Sequence, residues 1–250
     1  MRYFIELSYK GTEYHGWQYQ PNAISVQEKL NDGLSKILKE SINIMGAGRT
    51  DAGVHATQMF AHFDTTAAFD FDQTLFKLNS YLPDDIVVYR FIQVSDKAHT
   101  RFDATDRSYE YRIVLGRNPF LLDTTWQFFH RTLDIEKMNG AAKLLLNYKD
   151  FKCFSKSKTD VKTYNCNVTE AIWKLDGAML VFHISADRFL RNMVRAIVGT
   201  LVDVGLGKTS LEEFANIIES RDRTKAGLSV PAKGLFLTKI VYPKAVLENE

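Results

Sequence analysis

Cysteine and proline are scarce in this chain, at two and five of 250 residues. Cys153 and Cys166 cannot build a disulfide framework, and neither belongs to a paired metal-binding knuckle. Long apolar runs are missing too: none reaches the roughly 18 residues of a bilayer span. The start, Met1-Arg2-Tyr3-Phe4-Ile5-Glu6, sets a carboxylate where a secretory signal needs unbroken apolar residues. The expectation is a soluble chain of a reducing compartment, the cytoplasm, with no membrane association. Charge of one sign is also lacking, because 32 basic residues face 30 acidic ones for a net +2. A polyanionic partner must therefore be met by a local patch rather than by the whole surface. What is present is ordinary: 45% hydrophobic and 25% charged residues, a globular balance that excludes wholesale disorder. The length fits one large domain or two small ones.

The hydropathy pattern alternates strands with amphipathic helices. In residues 3–9, Tyr3, Ile5, Leu7 and Tyr9 alternate with Phe4, Glu6 and Ser8, which predicts a strand. Ser25-Val26-Gln27-Glu28 is a capping box, and Val26, Leu30, Leu34, Ile37 and Leu38 continue it as one apolar helical stripe. Extended stretches follow near 56–63 and 86–94, with a short helix near 73–80 between them. A strand over 108–115 precedes a helix near 135–146 with Ile135, Met138, Ala142 and Leu145 on one face. Strands 168–175 and 178–185 flank Asp176-Gly177, a tight-hairpin signature. A helix is expected from about 188 to 203. Ser210-Leu211-Glu212-Glu213 is a second capping box, opening a helix with Leu211, Phe214, Ile217 and Ile218 inside. Residues 235–242 read as a last strand, and the tail after Pro243 as frayed. Because parallel strands need a crossover, the hairpin argues for an α+β fold with a largely antiparallel sheet. A polar stretch, Ser95-Asp96-Lys97-Ala98-His99, marks a boundary between an N-terminal lobe, 1–100, and a C-terminal lobe, 101–250.

Several familiar motifs fail on inspection. Gly207-Lys208-Thr209 ends like a phosphate-binding loop, but the glycine required five residues earlier is Val202. Gly46-Ala47-Gly48 begins like a dinucleotide fingerprint, but the third glycine position is Asp51, whose carboxylate would repel a pyrophosphate. No histidine pair has metal-binding helical spacing, so His55 and His62 read as structural or exposed rather than as ligands.

One segment succeeds. Residues 46–56 run Gly-Ala-Gly-Arg-Thr-Asp-Ala-Gly-Val-His-Ala, with three glycines and three alanines around a single arginine and a single aspartate. Small residues permit tight turns and close approach to the backbone, leaving Arg49 and Asp51 as the groups that can do chemistry. A bare Arg-x-Asp would be read as a surface ion pair. Eleven consecutive residues of this kind change that reading.

Gly46–Ala56 closely resembles the signature of the tRNA pseudouridine synthase A family, and the resemblance spans nearly the whole chain. Tyr9–Gln18 looks like the family's opening segment. Ser80–Ile86, Phe102–Thr105, Ser108–Arg112, Phe189–Arg195 and Pro231–Leu235 match in the same order. The departure is Ser229-Val230, where the family more often has small polar residues; it is expected to touch no catalytic group. The resemblance implies two similar α/β lobes around a cleft, the first carrying the aspartate loop and the second a tyrosine strand and an arginine helix.

It also implies an isomerase acting on uridines 38, 39 and 40 of the tRNA anticodon stem-loop, as a homodimer whose subunits together cradle one tRNA. The reaction detaches uracil from ribose at nitrogen, turns the base and rejoins it through carbon 5. Such an isomerisation calls for no metal, redox cofactor or nucleotide. By resemblance Asp51 is the catalytic carboxylate, either attacking the ribose or removing its 2′ proton. Both roles require the ionised form, which an arginine within ~4–6 Å favours. Arg195 is assigned as that arginine, and Tyr109 as the aromatic that stacks on the uracil and can relay the carbon-5 proton. Arg188 and Arg191, taken to share a helix face with Arg195, are assigned to phosphates. Arg49 is assigned to the flipped nucleotide and Leu235 to sealing the pocket. The target base must leave its stack, at a cost of a few kcal/mol. Two basic clusters suit the grip that offsets this: Lys149, Lys152, Lys156, Lys158 and Lys162, then Arg221, Arg223 and Lys225. The reading from a different class is a catalytically silent RNA-binding protein on the same scaffold. An intact Asp51 argues against it, because binding alone does not require a carboxylate facing phosphate.

Overall fold

The computed structural model describes residues 1–129, 131–156 and 161–247; Lys158 and the Glu248-Asn249-Glu250 end lie outside them. In chain order the elements are β1 (Arg2–Tyr9), α1 (Val26–Leu38), β2 (Met45–Gly46), β3 (His55–Asp64), α2 (Phe71–Tyr81), β4 (Ile86–Val94), β5 (Asp106–Leu115) and β6 (Trp126–Phe128). There follow α3 (Ile135–Leu144), β7 (Val168–Asp176), β8 (Met179–Ala186), α4 (Met193–Gly205), α5 (Leu211–Ser220), β9 (Leu235–Val241) and α6 (Lys244–Leu247). The chain packs as two compact units. One is Met1–Asp106 together with the segment from Phe236 onward; the other is Arg107–Leu235. No helix among the described residues is long and apolar enough to cross a membrane.

In the first unit the strand order is β4-β1-β3-β9, with β2 on β3. β1 lies antiparallel to both β3 and β4, whereas β3 and β9 pair in parallel through His55–Phe236 and Ala56–Leu237. In the second unit β8 lies antiparallel to β5 and β7, and β6 adds to β5 in parallel. The fold is α+β with mostly antiparallel pairing, as expected. The hairpin forms one residue later than the Asp176-Gly177 signature suggests. Asp176 pairs with Met179 and the loop is Gly177-Ala178, with Gly177 at φ +56°.

Both capping boxes form. Glu28 N–H donates to Ser25 Oγ and Ser25 N–H to the Glu28 carboxylate, at 3.3 and 3.4 Å. Ser210 and Glu213 do the same at 2.7 and 3.1 Å, satisfying helix-end amides that would otherwise be orphaned. The α1 stripe buries Val26, Leu30 and Leu34 completely. In α5, Phe214 and Ile218 are buried, but Leu211 is exposed: as the first helical residue it precedes the turn that faces the core. The α2 helix is longer than expected because Asp70 caps it, accepting from Gln73 N–H at 2.7 Å. The tail after Pro243 is not frayed throughout, since Lys244–Leu247 forms α6.

The expected helix over 188–203 begins later. Asn192 is left-handed at φ +67°, which a right-handed helix cannot contain, so α4 starts at Met193. The Arg191 carbonyl is already committed to Lys156 N–H at 3.0 Å. Arg195 is thus helical, while Arg188 and Arg191 sit in the preceding turn, and the three do not share a helix face. Met193, Ile197, Val198 and Leu201 are buried.

Strand β1 buries Tyr3, Ile5, Leu7 and Tyr9 on one face and, on the other, Phe4 among the half-buried Arg2, Glu6 and Ser8. Phe4, on the face read as polar, is covered by Tyr242 and His62 at ring distances of 5.6 and 6.0 Å. His62 is structural: its Nδ1 hydrogen-bonds Thr100 Oγ1 at 2.8 Å, and its ring is edge-on to His99. Burial, with Arg2 and His99 nearby, pushes its pKa down to about 4. Between that value and the ordinary ~6.5 the unfolded chain takes up a proton that the native chain refuses. Stability is therefore fully present above pH 6.5 and falls as pH drops towards 4. Urea midpoints between pH 7 and 5 should decline, and a His62→Asn variant should flatten that slope. The two cysteines are buried free thiols raised to about 12 by burial, which removes them as nucleophiles at neutral pH.

Candidate functional site

Residues 47–54 carry no regular secondary structure, so the loop holding Arg49 and Asp51 is shaped by its neighbours. Gly46 is there for the protein's own packing: a Cβ would lie 2.5 Å from the buried Trp17 indole. Ala47 N–H donates to the Phe60 carbonyl at 2.8 Å and Trp17 N–H to the Thr50 carbonyl at 3.3 Å. A turn follows in which Val54 N–H reaches the Asp51 carbonyl at 3.1 Å, with Gly53 at φ +75°. Gly53 N–H donates to the Tyr14 carbonyl at 3.2 Å. Burial alternates along the segment: Ala47 and Thr50 are buried, Arg49 is exposed and Asp51 is half-buried. The small residues thus leave Arg49 exposed and Asp51 half-buried as the two charged side chains of the loop.

His55 closes the loop and is structural rather than exposed, the two roles that the sequence left open for it. It is buried, its Nδ1 accepts from Gly11 N–H at 2.9 Å, and its ring stacks on Phe236 at 4.5 Å. Sequence reasoning missed Tyr9, Trp17 and Thr50 as supports of this loop. Their contacts with it span 29 or more residues, and no local pattern announces them.

The second unit carries the remaining candidates. Tyr109 is half-buried on β5 opposite Ile184 of β8, its ring edge-on to Phe189 at 5.0 Å. Tyr111, two residues on, is a core tyrosine. It is fully buried, its hydroxyl donates to the Pro231 carbonyl at 2.8 Å, and burial raises its pKa well beyond the ordinary range. Arg195 is half-buried on α4, a helix whose only other charge is Asp203. Its Nε donates to the Val230 carbonyl at 2.7 Å, and the Val230 N–H returns a bond to the Arg195 carbonyl at 3.3 Å. The Ser229-Val230 departure therefore does touch a candidate catalytic group, contrary to expectation. The contact is made by backbone, so the side chain at 230 does not determine it. Ser229 contributes by accepting from Asn192 and Arg223 at 2.6 and 3.0 Å. Leu235 is buried at the start of β9.

Arg188 is half-buried and Arg191 exposed, in the turn before α4. The two basic clusters come together in the fold, since Arg221 pairs with Asp150 at 3.1 Å. Arg223 differs from the others: its guanidinium donates to the carbonyls of Ala226 and Gly227 and to Ser229, so it braces the loop leading to Val230. Lys149, Lys152, Lys156, Lys162 and Lys225 are exposed. Among the described residues no group of histidine, cysteine, aspartate and glutamate side chains could hold a metal.

Comparison with known proteins shows the family. Residues 141–243 match the family model described as tRNA pseudouridine synthase, which defines the class of protein. The chain is 51% identical to the tRNA pseudouridine synthase A of Bacteroides thetaiotaomicron over 100% of its length and 93% of that protein's. It is 51% identical to the Bacteroides fragilis protein of the same name, over 99% of this chain and 98% of that one. Against the Thermoanaerobacter pseudethanolicus protein of that name the identity is 42%, over 95% and 98%. The chain belongs to the tRNA pseudouridine synthase A family.

Proposed function

We propose that the protein isomerises uridine to pseudouridine at positions 38, 39 and 40 of the tRNA anticodon stem-loop. The observation that carries this is the Gly46–Ala56 loop, with Asp51 half-buried within it, in a chain that matches its relatives from end to end. In the reaction the bond from ribose carbon 1′ to base nitrogen breaks and a bond from carbon 1′ to carbon 5 forms. Carbon 5 loses its proton and the freed nitrogen gains one. Nothing is oxidised or reduced. Asp51 attacks the ribose or removes its 2′ proton, and Arg195 supplies its counter-charge. Tyr109 is the platform for the loose base. Arg49 serves the flipped nucleotide, Arg188 and Arg191 the phosphates, and Leu235 the wall of the pocket. The same reading makes the protein a cytoplasmic homodimer whose subunits together cradle one tRNA.

Release of tritium from tRNA labelled at uridine carbon 5 tests the activity directly. Binding without release would favour the silent RNA-binding reading. Tyr109→Phe keeps the ring and removes the hydroxyl. We expect tRNA affinity to be preserved and tritium release to fall by about 10²-fold, the lower end for general acid–base help. Unchanged release would leave the ring as a stacking platform alone. Arg195→Ala should lower turnover far more than Arg188→Ala, which should act mainly on tRNA affinity. The opposite ranking in steady-state kinetics would reverse the two assignments.

A further inference from the structure

We infer that Tyr9, Thr50 and His55 are positioning residues for Asp51, acting through two buried hydrogen bonds that tie the aspartate loop to the end of β1 and the residues just after it. The inference rests on the reading of Asp51 as the reacting carboxylate.

The first bond joins the hydroxyls of Tyr9 and Thr50 at 2.8 Å, both side chains being buried. The second runs from Gly11 N–H to His55 Nδ1 at 2.9 Å. Between these anchors lie Asp51 and the turn that ends at Val54. Two main-chain bonds, Trp17 to Thr50 and Tyr14 to Gly53, join the same two segments. No strand ladder spans residues 47–54, so the loop depends on these ties. Thr50 is central because it precedes Asp51 directly: with its side chain held in the interior, the backbone that carries the half-buried Asp51 is fixed in place. One neutral hydrogen bond adds little net stability to a folded chain. Misplacing a reacting group by about 1 Å, however, costs on the order of 10²-fold in rate. The signature of these bonds is thus a large effect on turnover without a matching loss of stability.

The test measures tritium release and urea midpoints for the full chain carrying Tyr9→Phe, Thr50→Val, both together, and Thr50→Ser. We expect each single loss of the hydroxyl to lower kcat about 10- to 100-fold, with KM and the urea midpoint little changed. The double variant should be no worse than the worse single one, because both remove the same bond. Thr50→Ser keeps the hydroxyl and should recover most of kcat. His55→Asn sets an amide oxygen where Nδ1 accepts and should outperform His55→Phe, which keeps only the ring stacking. The inference is overturned if Tyr9→Phe and Thr50→Val turn over like the parent. It is overturned equally if kcat falls only in proportion to the folded fraction. Asp51→Asn is run beside them: activity in that variant would sink the assignment of Asp51 itself, whatever the Tyr9 and Thr50 variants do.

Discussion

Asp51→Asn should abolish tritium release while leaving tRNA binding largely intact. The amide occupies the same space as the carboxylate but can neither attack carbon 1′ nor accept the 2′ proton, so both chemical routes close together. A loss of about 10³-fold or more is expected, the scale seen when a central carboxylate is removed from a catalytic unit. Binding should survive because the amide has the shape of the carboxylate and the main-chain bonds of the loop, Val54 N–H to the Asp51 carbonyl included, are untouched. A filter-binding assay in parallel with tritium release separates the two quantities. Substantial residual turnover would refute the assignment.

Gly16→Ala should be severely damaging, although residue 16 touches no substrate in this reading. Gly16 has φ +91°, and a Cβ there would lie 2.3 Å from the Thr50 carbonyl oxygen and 3.1 Å from the Asp51 carbonyl carbon. Left-handed backbone costs an L-residue roughly 1–2 kcal/mol, and overpacking against main chain adds roughly 1–3 kcal/mol. The variant should therefore lose about 3 kcal/mol in urea unfolding, and the surviving native fraction should turn over slowly because Thr50 and Asp51 must move aside. Gly48→Ala is the control. Residue 48 has no positive φ and nothing within 4 Å of the added carbon, so its stability should change by less than about 0.5 kcal/mol. Equal midpoints for the two variants would contradict the packing account.

Much of the fold is legible in the sequence where the cause is local. Ser25 and Ser210 start helices because a hydroxyl and a carboxylate three residues on satisfy each other's backbone amides. Gly177 turns the β7–β8 hairpin because it accepts positive φ. The start of α4 was misplaced for an equally physical reason. The sequence Arg188 to Arg195 has helical spacing, but Asn192 is left-handed and the Arg191 carbonyl is held by Lys156. A backbone bond to a residue 35 positions away leaves no trace in periodicity. The candidate site divides in the same way. The Gly46–Ala56 loop stands out by composition, whereas the packing of Trp17 on Gly46, the Arg195–Val230 bond and the bracing by Arg223 do not.

By itself the sequence determined the main strands and helices, the Ser25 and Ser210 caps, the buried stripe of α1 and the loop that bears Asp51. Each follows from residues within about one or two turns of one another. Only the tertiary structure decided that β9 pairs in parallel with β3 across some 180 residues, that Tyr242 covers Phe4, and that Tyr9 and Gly11 grip the loop. Those contacts are set by which distant surfaces can be buried together, and a one-dimensional pattern records only that a surface needs a partner, not which one it finds.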